Sequence, residues 1–250
     1  MPSTYLRQLT APQRSERSNQ HLARFLAFVA GAVNAGGFLA VKQYTSHMSG
    51  IVSALADNLI VLDLGLVAAG LGALSAFLCG AATCAVLVNW SRRQHLKGEY
   101  ALPLLLEAAL LICFGLLSQT LQHHPWFMLP TTVALLCFVM GLQNAIVTKL
   151  SHAEIRTTHV TGMITDIGIE LGKLLYRNKL VDVAPVRADH RKLALLGSLV
   201  GLFFVGGVGG ALGFKFLGDV ATLPLAALLI CLAALPVADD IAARLRKLGT

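Results

Sequence analysis

Most of the polar chemistry available to this chain lies in two short words. Thr45-Ser46-His47-Met48-Ser49-Gly50 returns as Thr157-Thr158-His159-Val160-Thr161-Gly162, with Thr, His and Gly identical and the other positions conservatively exchanged. Each word follows an apolar stretch containing Asn-Ala, at Asn34-Ala35 and at Asn144-Ala145, and the Asn-to-His spacing is 13 and then 15 residues. Hydroxyls and imidazoles at the start of a helix sit beside unpaired N–H groups and a partial charge of roughly +0.5. Ser49 and Thr161 are the expected N-caps. Two such helix starts, brought together, would form a site for an anion or a small polar metabolite. The bland alternative is that the words only cap two duplicated helices where they cross. The same choice applies to Asn34 and Asn144, which either line a shared path or form interhelical hydrogen bonds of order 1 kcal/mol.

Other chemistries lack their residues. Metal sites usually take three or four ligands, and neither His47 nor His159 has a second His at helical spacing or a carboxylate cluster. No metal and no cofactor is expected. There is no phosphate loop, nucleophile elbow or zinc-protease helix, so the chain does not read as an enzyme. Three acids lie near the words: Asp57, Asp166 and Glu170. An acid inside a bilayer is expensive, about 2.5–3.5 kcal/mol at the centre on insertion scales, and is therefore protonated, paired or functional. All three are candidates for coupling to a proton or ion, with a Glu170–Lys173 pair as the structural alternative. Glu107 also falls in an apolar stretch, near its expected cytoplasmic end.

The elements that must position these residues follow from composition. Of 250 residues, 56% are hydrophobic and 13% are charged, against about 25% charged in soluble domains. Mean hydropathy is +0.69. Six apolar stretches approach or exceed the roughly 20 residues a membrane helix needs: 25–42, 64–90, 101–121, 126–148, 193–215 and 219–238. Two shorter pieces, 50–62 and 162–175, begin at the words, and a helix of that length reaches only about 20 Å. The five cysteines all lie in apolar stretches, where they read as small buried hydrophobes.

Charge sets the topology. Arg and Lys gather before residue 25, at 92–97, at 173–192 and at 244–247, whereas 122–125 has none. Basic connections stay cytoplasmic, which accounts for the net charge of +7 without nucleic acid. Placing all four basic regions inside requires six crossings, with both short pieces re-entrant or interfacial. The competing arrangement makes the short pieces full spans and gives eight crossings. The expected fold is therefore all-α: six transmembrane helices plus two short broken helices, in an inverted repeat of three crossings each. The divisions are a basic tail (1–24), a first membrane repeat (25–121), a second (126–238) and a cytoplasmic basic tail (239–250). Inverted repeats with short segments at matching positions point to a transport site near the midplane. Gly206, Gly207, Gly209, Gly210 and Gly213 form overlapping G-x-x-x-G patterns, matched by Gly65, Gly70, Gly72 and Gly80. These serve close packing within the bundle or, alternatively, a homo-oligomer contact.

AGAVNAGGFLA…YTSHMSG and MGLQNAIVTKL…RTTHVTG resemble the two motif blocks of the YoaK-like family of bacterial multi-pass membrane proteins, over about 25–238. The resemblance implies a bacterial cytoplasmic-membrane protein of unassigned function, and so supplies no substrate or site residues. It also implies a departure at Asn34, where Asp is the commoner residue, which weakens proton coupling at that position. The residues themselves favour a small-solute transporter or channel whose site is built from Asn34, Thr45, Ser46, His47, Ser49, Asn144, Thr157, Thr158, His159 and Thr161. A membrane scaffold or sensor holding a cytoplasmic partner or anionic lipid through the basic 177–192 region is the alternative.

Overall fold

The computed structural model describes residues 9, 15–121, 125–150, 160–177 and 184–248. Among them, all regular structure is helical: α1 (Glu16–Val41), α2 (Met48–Ile60), α3 (Leu64–Arg93), α4 (Ala101–Leu121), α5 (Pro125–Leu150), α6 (Val160–Leu175), α7 (His190–Leu217) and α8 (Thr222–Leu248), with a 3-10 turn (Gly218–Ala221) between α7 and α8. Four helical stretches among the described residues are long and apolar enough to cross a membrane: Glu16–Val41, Leu64–Arg93, Pro130–Leu150 and His190–Ala243. The last contains α7, the turn and most of α8.

Local chemistry moves several boundaries. Helix α1 starts nine residues before the apolar run, because Ser15 Oγ accepts the Ser18 N–H at 3.2 Å and Glu16 sits in the first turn, where a negative charge favours the helix dipole. The helix ends in a left-handed cap at Lys42 (φ 56°), whose N–H returns to the Phe38 carbonyl at 2.8 Å. Asp63 caps α3 by accepting from Leu66 N–H, and Asp189 caps α7 by accepting from Arg191 and Lys192 N–H groups. At the other end of the chain α8 runs on through Pro236 to Leu248, taking in residues expected to form a tail.

The core is held by two helix pairs that make one contact twice. In the α1–α7 pair, a Cβ on Gly31 would strike the Phe203 carbonyl and one on Gly206 would strike that of Phe28. In the α5–α3 pair, Gly141 meets Phe77 and Gly80 meets Phe138 in the same way. Only a residue without a side chain lets backbones approach so closely. The second G-x-x-x-G glycine, Gly210, also packs on α1, at Ala32, whereas nothing lies within 4 Å of Gly209. Tight internal packing is thus what Gly206 and Gly210 serve.

Directions follow from further contacts. Arg24 Nε donates to Ser198 Oγ at 2.9 Å, and Gly36 faces Phe214, so α1 and α7 run parallel. Gln143 Nε2 donates to the Leu26 carbonyl at 3.3 Å while Gly37 faces Leu136, so α1 and α5 run antiparallel. Helices α4 and α8 close the bundle, also antiparallel: Thr222 Oγ1 donates to the Leu111 carbonyl at 2.8 Å, and Asp240 accepts the Lys97 and Gly98 N–H groups.

Candidate functional site

The first word lies deep in the bundle. Helix α2 folds back along α3, with Leu55 against Gly70 and with Ile51 and Ala73 in one buried cluster against which Met48 and Phe77 also pack. Phe77 is near the midpoint of the 30-residue α3. The chain therefore leaves α1 at Val41 and starts α2 level with the middle of α3. The 13 residues of α2 then run about 20 Å towards the start of α3.

Asn34 anchors this turn. Its Oδ1 accepts the Ser46 hydroxyl at 2.8 Å and the Ser46 N–H at 3.4 Å. Phe38 and Tyr44 stack with ring centroids 4.6 Å apart, bracing the same turn. Thr45 is fully buried, and its Oγ1 has no hydrogen-bond partner among the described residues.

The expected caps are corrected at both words. The N-cap of α2 is His47, which makes no side-chain cap bond, and Ser49 is an exposed residue of the first turn. Thr161 is likewise inside α6, where its carbonyl accepts the Thr165 hydroxyl at 2.9 Å. The imidazole of His47 instead lies over Gly50: a Cβ there would stand 2.7 Å from His47 Nδ1. The identical glycine is thus what lets the ring fold over the helix start.

His47 is exposed to an open cavity of about 1070 Å³ between the end of α1, α2, the start of α3 and the start of α5. Its polar lining comes from Lys42, Gln43, Tyr44, His47, Asn58 and Thr131, and the rest is apolar or glycine. Among the described residues, Lys42 is its one formally charged side chain and no acid lines it. Of the remaining word residues, Thr45, Ser46 and Ser49 stay outside the lining, as does Asn34.

The second word is only partly in view. Thr157, Thr158 and His159 lie outside the described residues. Asn144 follows Gln143 at the level of Leu26, eight residues before Asn34 on antiparallel α1. The two asparagines are thus offset by roughly 12 Å along the axis, and Asn34 reaches its own word at Ser46.

The three acids separate. Asp57 is exposed on α2. Glu170 is 2% exposed and accepts from Lys173 Nζ at 2.9 Å and from the Asp189 N–H at 2.8 Å. The Asp189 N–H, then Lys173, hold its carboxyl below the ordinary value of 4.5. The Lys192 N–H, ahead of the Arg191 N–H, holds Asp189 below its ordinary 3.8. Asp166 faces Lys192 at 3.6 Å. Each acid of the 166/170 pair therefore has its own cation, which removes the repulsion expected at that spacing. No group of three His, Cys, Asp or Glu among the described residues could hold a metal.

Residues 22–235 match the family described as "Protein of unknown function (DUF1275)", most of the chain. The chain belongs to the DUF1275 family. It is also 26% identical over 192 residues to the UPF0700 transmembrane protein YoaK of Bacillus subtilis (strain 168), covering 74% of this chain and 81% of that one. No solved structure matches. This DUF1275 member is a multi-pass membrane protein, as its apolar helices and its transmembrane relative agree.

The sequence reading passed over the Phe-x-x-Gly quartet at 28–31, 77–80, 138–141 and 203–206, which builds both helix pairs. Its signal was present as a repeated spacing, hidden among many other apolar residues. Asn58, Lys42 and Gln43 were also missed. Only the fold-back of α2 places them around His47.

Proposed function

We propose that this protein is a small-solute transporter or channel of a bacterial cytoplasmic membrane, with its site at the two helix breaks. The observation that carries this reading is the position of His47: at a helix start, half-way along α3, on the wall of an open cavity. Non-helical backbone at membrane depth is tolerated only inside protein or against a wet cavity. A cavity with Lys42, a helix N-terminus and no acid suits an anion or a neutral polar solute.

In this reading the six long helices cross and the two short ones re-enter, with both termini cytoplasmic. The antiparallel course of α1 and α5, which carry matching motifs, and the twice-made Phe–Gly contact support inverted halves. Thr157, Thr158, His159 and Thr161 would then do from the cytoplasmic side what the first word does from outside. The scaffold reading draws less support, because Lys192 of the basic 177–192 region already faces Asp166.

The test is a thermal-shift screen of the purified protein against small anions and polar metabolites, followed by flux of any hit in proteoliposomes. His47→Ala should abolish both the shift and the flux while insertion stays normal. Undiminished flux in His47→Ala would sink the proposal.

A further inference from the structure

One buried acid is engaged by nothing described above. Glu107 lies in α4 at 0% exposure, and neither carboxyl oxygen has a hydrogen-bond partner among the described residues. The two halves differ here. Leu102-Pro103 is followed four residues on by Glu107, whereas Leu223-Pro224 in α8 is followed at the same distance by Leu228. The matching position after Leu-Pro is thus apolar and partly buried in the other half, and the fully buried carboxyl needs a separate explanation.

Helix α4 packs against α3, α5, α8 and the 3-10 turn. Among their titratable groups, Arg92 is bonded to Glu99 at 3.1 Å, and Asp240 holds the backbone of Lys97 and Gly98. Asp239 neighbours Asp240 at that same end, and Asp219 lies by Gly115 at the opposite one. Arg93 follows Arg92 and Arg246 lies beyond Asp240, Cys79 and Cys231 are exposed, and Cys137 sits in the separate cluster with Ile51 and Ala73. Cys84 of α3 is a buried thiol within electrostatic reach of both Glu107 and Lys149 of α5. Among the described residues no cation bonds the Glu107 carboxyl. An ionised carboxylate in apolar surroundings without a partner is strongly disfavoured, and such a group is held neutral. Stability does not require it either, since replacing an unpartnered buried polar group by an apolar one of similar shape is neutral or favourable.

We propose that Glu107 is an exchangeable proton-binding site inside the bundle, and that its proton couples transport to the proton gradient. The proton site stands on burial and partnering alone. The coupling rests on the transport reading above.

The test uses the full chain in liposomes. Infrared spectra at neutral pH should contain a protonated-carboxyl carbonyl band that shifts in heavy water and is lost in Glu107→Gln. Identical spectra for the two proteins, or a band that does not shift in heavy water, would overturn the site. Glu107→Leu should unfold at the same or a higher temperature, and a clear fall would assign the acid a structural role instead. Glu107→Gln should keep downhill solute flux but lose its response to an imposed pH gradient. An unchanged response, or no flux in the parent protein, would overturn the coupling and leave the proton site standing.

Discussion

Asn34 Oδ1 takes both the hydroxyl and the backbone N–H of Ser46, at 2.8 and 3.4 Å, and so ties the α1–α2 turn to the side of α1. The side-chain amide replaces a backbone partner that the broken helix lacks. Asn34→Ala should lower stability by about 1 kcal/mol, and a cycle with Ser46→Ala should give a coupling of roughly 0.6–1.7 kcal/mol. Unfolding of the four proteins in one detergent measures it. Asn34→Asp keeps the acceptor and should retain most of the stability.

Gly50 should control the pose of His47 more than the stability of α2. A methyl at Gly50 would lie 2.7 Å from His47 Nδ1, so Gly50→Ala should displace the ring from the cavity wall. The expected result is loss of any His47-dependent ligand shift with little change in melting temperature. A thermal-shift series on the two proteins checks it.

The glycines should divide by contact rather than by motif. Gly80→Ala and Gly206→Ala each drive a Cβ into a carbonyl of the facing helix and should block assembly of the bundle. Gly72 and Gly209 have nothing within 4 Å, so alanine there should be neutral or stabilise by up to about 1 kcal/mol through helix propensity. Monodispersity and melting temperature of the four variants separate the classes.

The α6–α7 junction should weaken in acid. Glu170 and Asp189 have folded-state values below their ordinary ones, owing to the N–H groups and the Lys173 ammonium around them. Their contribution is fully present above the unfolded values of about 4 and is lost as pH falls through the lower folded values. Protection against hydrogen exchange at the start of α7, corrected for the intrinsic exchange rate at each pH, should therefore fall below about pH 4 and stay flat between neutral pH and that point. Glu170→Gln should give faster exchange already at neutral pH.

Helix existence was legible in the sequence because apolar length decides it in a bilayer. The stretches at 64–90, 101–121 and 126–148 appear as α3, α4 and α5 with ends displaced by a few residues. Ends depend on single side chains, which hydropathy does not weigh. Ser15 extends α1 by nine residues, and the α2 helix begins at His47 without a hydroxyl cap, although Ser49 looked the better candidate. The repeated words pointed to the turn between α1 and α2 and to His47. They could not reveal which residues would share the cavity with it, since Lys42, Asn58 and Thr131 meet there only through the fold-back of α2 and the placement of α5. Glu107 was visible as an acid in an apolar run, but its isolation depends on what α3, α5 and α8 bring near it.

The central structural claim is that the two short helices enter from opposite faces of the membrane. Leu62 in the α2–α3 turn and Leu175 at the end of α6 are both exposed and would report the two faces. In a chain whose five native cysteines are replaced, Leu62→Cys and Leu175→Cys can be treated on intact cells with a membrane-impermeant thiol reagent. Labelling of Leu62→Cys alone, with Leu175→Cys reacting only after the membrane is opened, is the expected result. Labelling of both positions from the same side would contradict it.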